Sequence, residues 1–198
     1  MAPRSAATEG DDGLVIEAEL KARVHDPEGL RGLLRQRAEE ELSIYQDAYY
    51  DWADGSLTAE GRELRVRTIE CSGTRRTLLT YKEPVVDEAS DSKPEYETKV
   101  ADRTVIETVL RALGAVEYVR LAKYCANYRF TSHARNMLAT VVTVPELDGT
   151  FVELETMAAE DDVDAALADI RAVLADLGIG EEDLTTEQYT DAVLEARG

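Results

Sequence analysis

From Leu14 to Arg23 the chain reads LVIEAELKAR, so Glu17, Glu19, Lys21 and Arg23 alternate with Ile16, Ala18, Leu20 and Ala22. A period of two places the charged set and the apolar set on opposite faces of a β-strand. The alternation returns along the chain with its signs segregated. Glu17 and Glu19 open the strand-like series and Glu153 and Glu155 close it, while Arg65 with Arg67, Lys82 and Lys123 lie between. In a half-exposed sheet such charges face water. In a closed barrel jacketed by helices the outer face is buried and the charged face lines the lumen. Taking each ion out of water costs several kcal/mol, so charges gathered in a cavity need a partner. A ligand of both signs meets that need, with a divalent cation on the carboxylates and a phosphate chain on the arginines and lysines.

Further strands are expected at Ser43 to Asp51, Glu63 to Thr68, Arg76 to Glu83, Glu95 to Val100, Val119 to Phe130, Leu138 to Val144 and Gly149 to Thr156, divided by turn residues such as Asp54-Gly55 and Ser72-Gly73. Asp26-Pro27 supplies an N-cap and a first-turn proline for a helix over Pro27 to Glu41, with Leu30, Leu33 and Leu34 inward. A second helix, Asp102 to Leu113, carries Val105, Ile106, Val109, Leu110 and Leu113 as its buried stripe and stops at Gly114. Helices are also expected over Asp162 to Leu177 and Thr186 to Ala196. The polar loop Pro84 to Pro94 reads as mobile.

At 198 residues the chain suits one domain, 14–198, behind a disordered tail at 1–13. With 41 acidic against 22 basic side chains, net −19, its field opposes nucleic acid and anionic membranes. No apolar run is long enough to span a bilayer, and the start lacks a signal-peptide core, so a cytoplasmic protein is expected, monomeric or homodimeric. Cys71 and Cys125 make no zinc pattern and read as free thiols; His25 and His133 stand far apart. Any metal here is therefore expected on oxygen ligands.

The ordered pieces Glu17-Ala-Glu19-Leu-Lys21, Tyr49-Tyr50-Asp51, Leu64-Arg65-Val66-Arg67, Leu79-Thr80-Tyr81-Lys82-Glu83-Pro84, Glu95-Tyr96-Glu97 and Phe151-Val152-Glu153-Leu154-Glu155 resemble the CYTH proteins, the triphosphate tunnel metalloenzymes. That family includes class IV adenylate cyclases, thiamine triphosphatases and inorganic triphosphatases. The resemblance implies an α+β fold, an eight-stranded antiparallel closed β-barrel (tunnel) flanked by helices. It implies Mg²⁺ or Mn²⁺ on Glu17, Glu19, Glu153 and Glu155, and a small phosphorylated substrate on Lys21, Arg65, Arg67, Lys82 and Lys123. Glu17, Glu19 and Lys21 form its catalytic strand, and Glu95 and Glu97 are expected to orient neighbouring cations.

Two positions depart from the family's pattern. Cys125 stands where relatives carry a phosphate-binding arginine, and Val142 where they carry an inward carboxylate. The expected activity is metal-dependent hydrolysis of a triphosphate compound: inorganic triphosphate, thiamine triphosphate or a nucleoside triphosphate. Cyclisation of ATP and binding of a phosphorylated metabolite without turnover stand as alternatives.

Overall fold

The structure, a computed structural model, describes residues 15–86, 90 and 92–198; the expected tail and part of the loop before Pro94 lie outside the described residues. Eight strands, β1 (Val15–Val24), β2 (Glu41–Trp52), β3 (Glu63–Cys71), β4 (Thr74–Lys82), β5 (Lys93–Val100), β6 (Ala115–Ser132), β7 (Arg135–Thr143) and β8 (Thr150–Ala159), close into one antiparallel barrel in the order β1-β5-β4-β3-β2-β6-β7-β8. Five α-helices accompany them: α1 (Pro27–Leu34), α2 (Ser56–Ala59), α3 (Arg103–Ala112), α4 (Val163–Asp176) and α5 (Tyr189–Arg197). Among the described residues no helix is long and apolar enough to cross a membrane.

The main hydrophobic core lies outside the barrel. Ile16, Ala18, Leu20 and Ala22, the apolar face of β1, pack with Val152 and Leu154 of β8 against Ala166, Ile170, Val173 and Leu174 of α4 and Leu30 and Leu34 of α1. That outward burial turns Glu17, Glu19 and Lys21 into the lumen, as the period-two pattern requires. The lumen itself is not charged throughout. Inward residues Tyr45, Ile69, Leu78, Cys125, Val142 and Phe151 form an apolar cluster with Tyr189 and Val193 of α5.

Two helices differ from expectation. α1 ends at Leu34 instead of Glu41, because Glu40 folds back onto Arg31 and Arg35 at 3.0 Å each and takes the Tyr128 hydroxyl, which turns the chain into β2. Leu33 is consequently exposed. On α3 only Leu110 is buried, whereas Val105, Val109 and Leu113 face solvent. Arg103 pins that helix to the barrel through the Gln46 carbonyl (3.0 Å) and Thr68 hydroxyl (2.8 Å), leaving a single narrow edge in contact.

The β1–β5 seam is short. Among the described residues, ladder pairing covers only Ile16 with Pro94 and Glu17 with Lys93, and Pro94 has no N–H to extend it. Beyond it the Glu19 N–H donates to the Ser92 hydroxyl at 3.2 Å. The Thr185 N–H donates to the Lys21 carbonyl at 2.9 Å, and Leu184 bridges Ala22. A segment near the C-terminus thus completes the wall beside the acidic strand.

Asp51, at the end of β2, organises the next turn. Its buried carboxylate accepts the backbone N–H groups of Trp52 (2.6 Å), Leu57 (2.9 Å) and Thr58 (2.9 Å), tying α2 to the barrel. Asp51→Ala strands all three donors, and is expected to lower stability by about 2 kcal/mol in urea unfolding. A loss below about 0.5 kcal/mol would show that water replaces the carboxylate at no cost.

Candidate active site in the barrel lumen

Register brings the acidic residues together. Glu19 of β1 lies opposite Glu155 of β8, and Lys21 opposite Glu153. One oxygen each of Glu17, Glu19 and Glu155 lie within 4.8 Å of one another, the spacing of a shared cation. Burial, and then the charges of Glu153 and Glu17, push the Glu19 carboxyl up to about 8. Burial with Glu17 and Glu19 drives Glu155 well above the usual carboxylate range. Glu17 goes the other way: burial would raise it, but the Lys82 ammonium bonded to it holds it down at about 2. Two of the three carboxyls are therefore poorly compensated by the protein alone. That donor set, hard oxygens deficient in positive charge, fits Mg²⁺ or Mn²⁺.

The cations differ in how they are held. Lys82 sits between Glu17 and Glu95, 2.9 Å from the latter. Lys123 Nζ lies 3.2 Å from Glu153 Oε1, so Glu153 faces a lysine while the other three glutamates face one another. Arg67 is clamped bidentately by Asp47, Nε to Oδ1 at 2.8 Å and Nη2 to Oδ2 at 2.7 Å, over the Tyr45 ring. Arg65 is 7% exposed, 3.6 Å from Glu63, and its Nε has no hydrogen-bond partner among the described residues. A buried unmet donor of this kind costs stability unless something accepts from it.

Glu17, Glu19, Lys21, Arg65, Arg67, Lys82, Lys123, Glu153 and Glu155 thus share one cavity, while Glu97, exposed and accepting from Thr80 at 3.2 Å, is on the same face of β5 as Glu95, in line with Thr80 and Arg65. Cys125 and Val142, where the family resemblance expects opposite charges, are direct cross-strand partners on β6 and β7 and both point inward. Burial raises the Cys125 thiol to about 12, so it carries no thiolate at neutral pH.

Several lining residues escape a motif reading: Asp47, Glu63, Lys93 and Tyr189. Asp47 had a signal, since it shares the period-two face of β2 with Tyr45 and Tyr49. Tyr189 had none, because a helix's own periodicity does not say that it lies across a barrel.

The lumen's free volume is ≈ 70 Å³. A groove of ≈ 730 Å³ outside the barrel, beside Leu42, Ile44 and Tyr124, gathers no carboxylate cluster, so charge places the chemistry in the smaller space. The sequence profile of the CYTH domain matches residues 15–189. A Methanocaldococcus jannaschii protein provisionally named as an adenylate cyclase is 24% identical over 187 residues, covering 93% of this chain and 99% of that one. The solved PH1819 protein of Pyrococcus horikoshii superposes with a TM-score of 0.79 at 26% identity, over 90% of this chain and 98% of its own. A Hippeastrum protein, provisionally an adenylyl cyclase and described as having dominant triphosphatase activity, shares the fold, with a TM-score of 0.59 at 15% identity over 91% and 95%. Barrel order, inward charges and profile agree, and the chain belongs to the CYTH-domain family.

Proposed function

We propose that this protein is a metal-dependent hydrolase of a triphosphate compound, acting in the cytoplasm on a small phosphorylated substrate. The observation that carries the reading is the juxtaposition, in one lumen, of three crowded carboxylates with the unmet Arg65 donor. Glu17, Glu19 and Glu155 would hold a divalent cation, which would supply charge neutralisation and Lewis acidity at the phosphoryl group. Arg65 offers its planar donors to phosphate oxygens, and Lys21, Lys82 and Lys123, on β1, β4 and β6, add ammonium charges from around the same cavity. Glu95, on Lys82, and Asp47, on Arg67, hold those cations in place. The barrel wall keeps bulk water from the phosphates, so these charges act at low dielectric.

The name of the Methanocaldococcus relative favours a second reading, cyclisation of ATP. It needs the same phosphate track and room for a ribose at its end. Incubation with tripolyphosphate, thiamine triphosphate and ATP, each with Mg²⁺ or Mn²⁺, separates the two. Orthophosphate release supports the hydrolase; cyclic AMP with pyrophosphate supports the cyclase; neither product with any substrate overturns both.

A further inference from the structure

α5 closes the lumen with a side chain of its own. The segment leading to it is laid along β1 by Leu184 and Thr185, and Arg23 grips Glu187 at 2.6 Å. The helix is then held by buried Val193 and by Arg197, which reaches Glu146 at 2.7 Å and the Arg120 carbonyl at 2.7 Å. Tyr189, its first residue, is 7% exposed and enters the charged cavity edge-on to Phe151, with ring centroids 5.3 Å apart. The ammonium groups of Lys21 and Lys123 lie over its ring, 4.9 Å and 4.2 Å from the centroid. Cation–π attraction at that range steadies both lysines in a buried site.

Its hydroxyl is the unusual part. It is directed at the Glu153 carboxylate and lowers that carboxyl as a hydrogen-bond donor does, but no well-formed bond joins them, and among the described residues it has no other acceptor. Buried tyrosine hydroxyls usually find one. Here the unmet O–H shares its cavity with the unmet Arg65 Nε. Two poorly satisfied donors in one cavity lined by lysines and arginines as well as carboxylates call for an acceptor-rich ligand. With Phe151 beside it, the Tyr189 ring occupies part of that cavity, and a base or sugar could enter there only by displacing it.

Resting on the hydrolase reading above, we propose that Tyr189 is a substrate-binding and specificity-determining residue. Its hydroxyl donates to a phosphate oxygen, and its ring bars organic groups, so the enclosed site takes a compact polyphosphate in preference to a nucleoside triphosphate.

The test compares wild type with Tyr189→Phe and Tyr189→Ala by steady-state kinetics and calorimetry on tripolyphosphate and ATP with Mn²⁺, thermal midpoints serving as the folding check. Tyr189→Phe keeps the ring and is expected to raise KM for tripolyphosphate about tenfold with little change in midpoint. Tyr189→Ala is expected to open the end of the lumen and cut the preference for tripolyphosphate over ATP about tenfold. Unchanged KM in Tyr189→Phe overturns the inference while leaving the hydrolase reading intact, as does a wild type that prefers ATP. Wild type that binds neither polyphosphate removes the hydrolase reading, and the inference falls with it. Because Tyr189→Phe preserves packing, the hydroxyl's role is decided even if Tyr189→Ala unfolds.

Discussion

Glu19→Gln is expected to lower kcat/KM for the triphosphate substrate by roughly 10²–10³-fold or more, the loss that follows when a charge-stabilising group is removed from a preorganised site. The same residue gives a test that needs no substrate. Glu19 is held near 8 in the metal-free lumen, against 4.5 for an ordinary glutamate. Between those values the folded chain keeps a proton that the unfolded chain has released. Metal-free stability is therefore full below about pH 4.5 and declines as pH rises towards 8, by a few kcal/mol at most. Glu155 shifts in the same direction and adds to the decline. Glu17, lowered to about 2, acts in the opposite sense, but its window lies below pH 4.5. A divalent cation substitutes for the missing proton, so the rise in thermal midpoint on adding Mn²⁺ should be small near pH 5 and grow towards pH 8. Thermal unfolding with and without Mn²⁺ measures it, and Glu19→Gln should flatten both the decline and the metal's effect. A Mn²⁺ shift independent of pH, or one that survives Glu19→Gln, would place the cation elsewhere.

The inward set was legible because a strand's period of two leaves only two faces, and the outer face of β1 is unmistakably apolar. Once Ile16, Ala18 and Leu20 go outward, Glu17, Glu19 and Lys21 have no other place to go. Partnership is a different kind of information, set by register between strands distant in sequence. Nothing in the β3 segment says that Arg67 meets Asp47, or that Glu153 meets Lys123 across the lumen. Helices were readable in position more than in contact. The stripe on α3 has helical spacing, yet the barrel offers it one edge, and Val105, Val109 and Leu113 stay exposed. The helix that became α5 was expected from its pattern, but its role at the lumen depends on where Leu184 and Thr185 dock it.

Cys125→Arg is expected to destabilise the protein by about 3–5 kcal/mol on its own, and Val142→Asp in the same chain should recover at least half of that. Both positions are buried, at 4% and 0% exposure, and they face each other across the β6–β7 ladder. A guanidinium placed at Cys125 alone would stand among Tyr45, Ile69, Leu78 and Phe151, near Lys123 and Arg67, whose charges Glu153 and Asp47 already pair, so that no carboxylate is left for it. An uncompensated buried charge of that kind takes much of the stability that a domain has. An aspartate at Val142 supplies the opposite charge from the adjacent strand, so the double variant restores a pair where the chain now has an apolar contact. A double-mutant cycle in urea unfolding reads the coupling, expected at about 2 kcal/mol or more. Additive losses would mean that the side chains do not meet and that the two departures from the family pattern are unrelated. Coupling would mean that Cys125 and Val142 act as one unit, an apolar contact where the family resemblance leads one to expect an ion pair, set apart from the carboxylates of Glu17, Glu19 and Glu155.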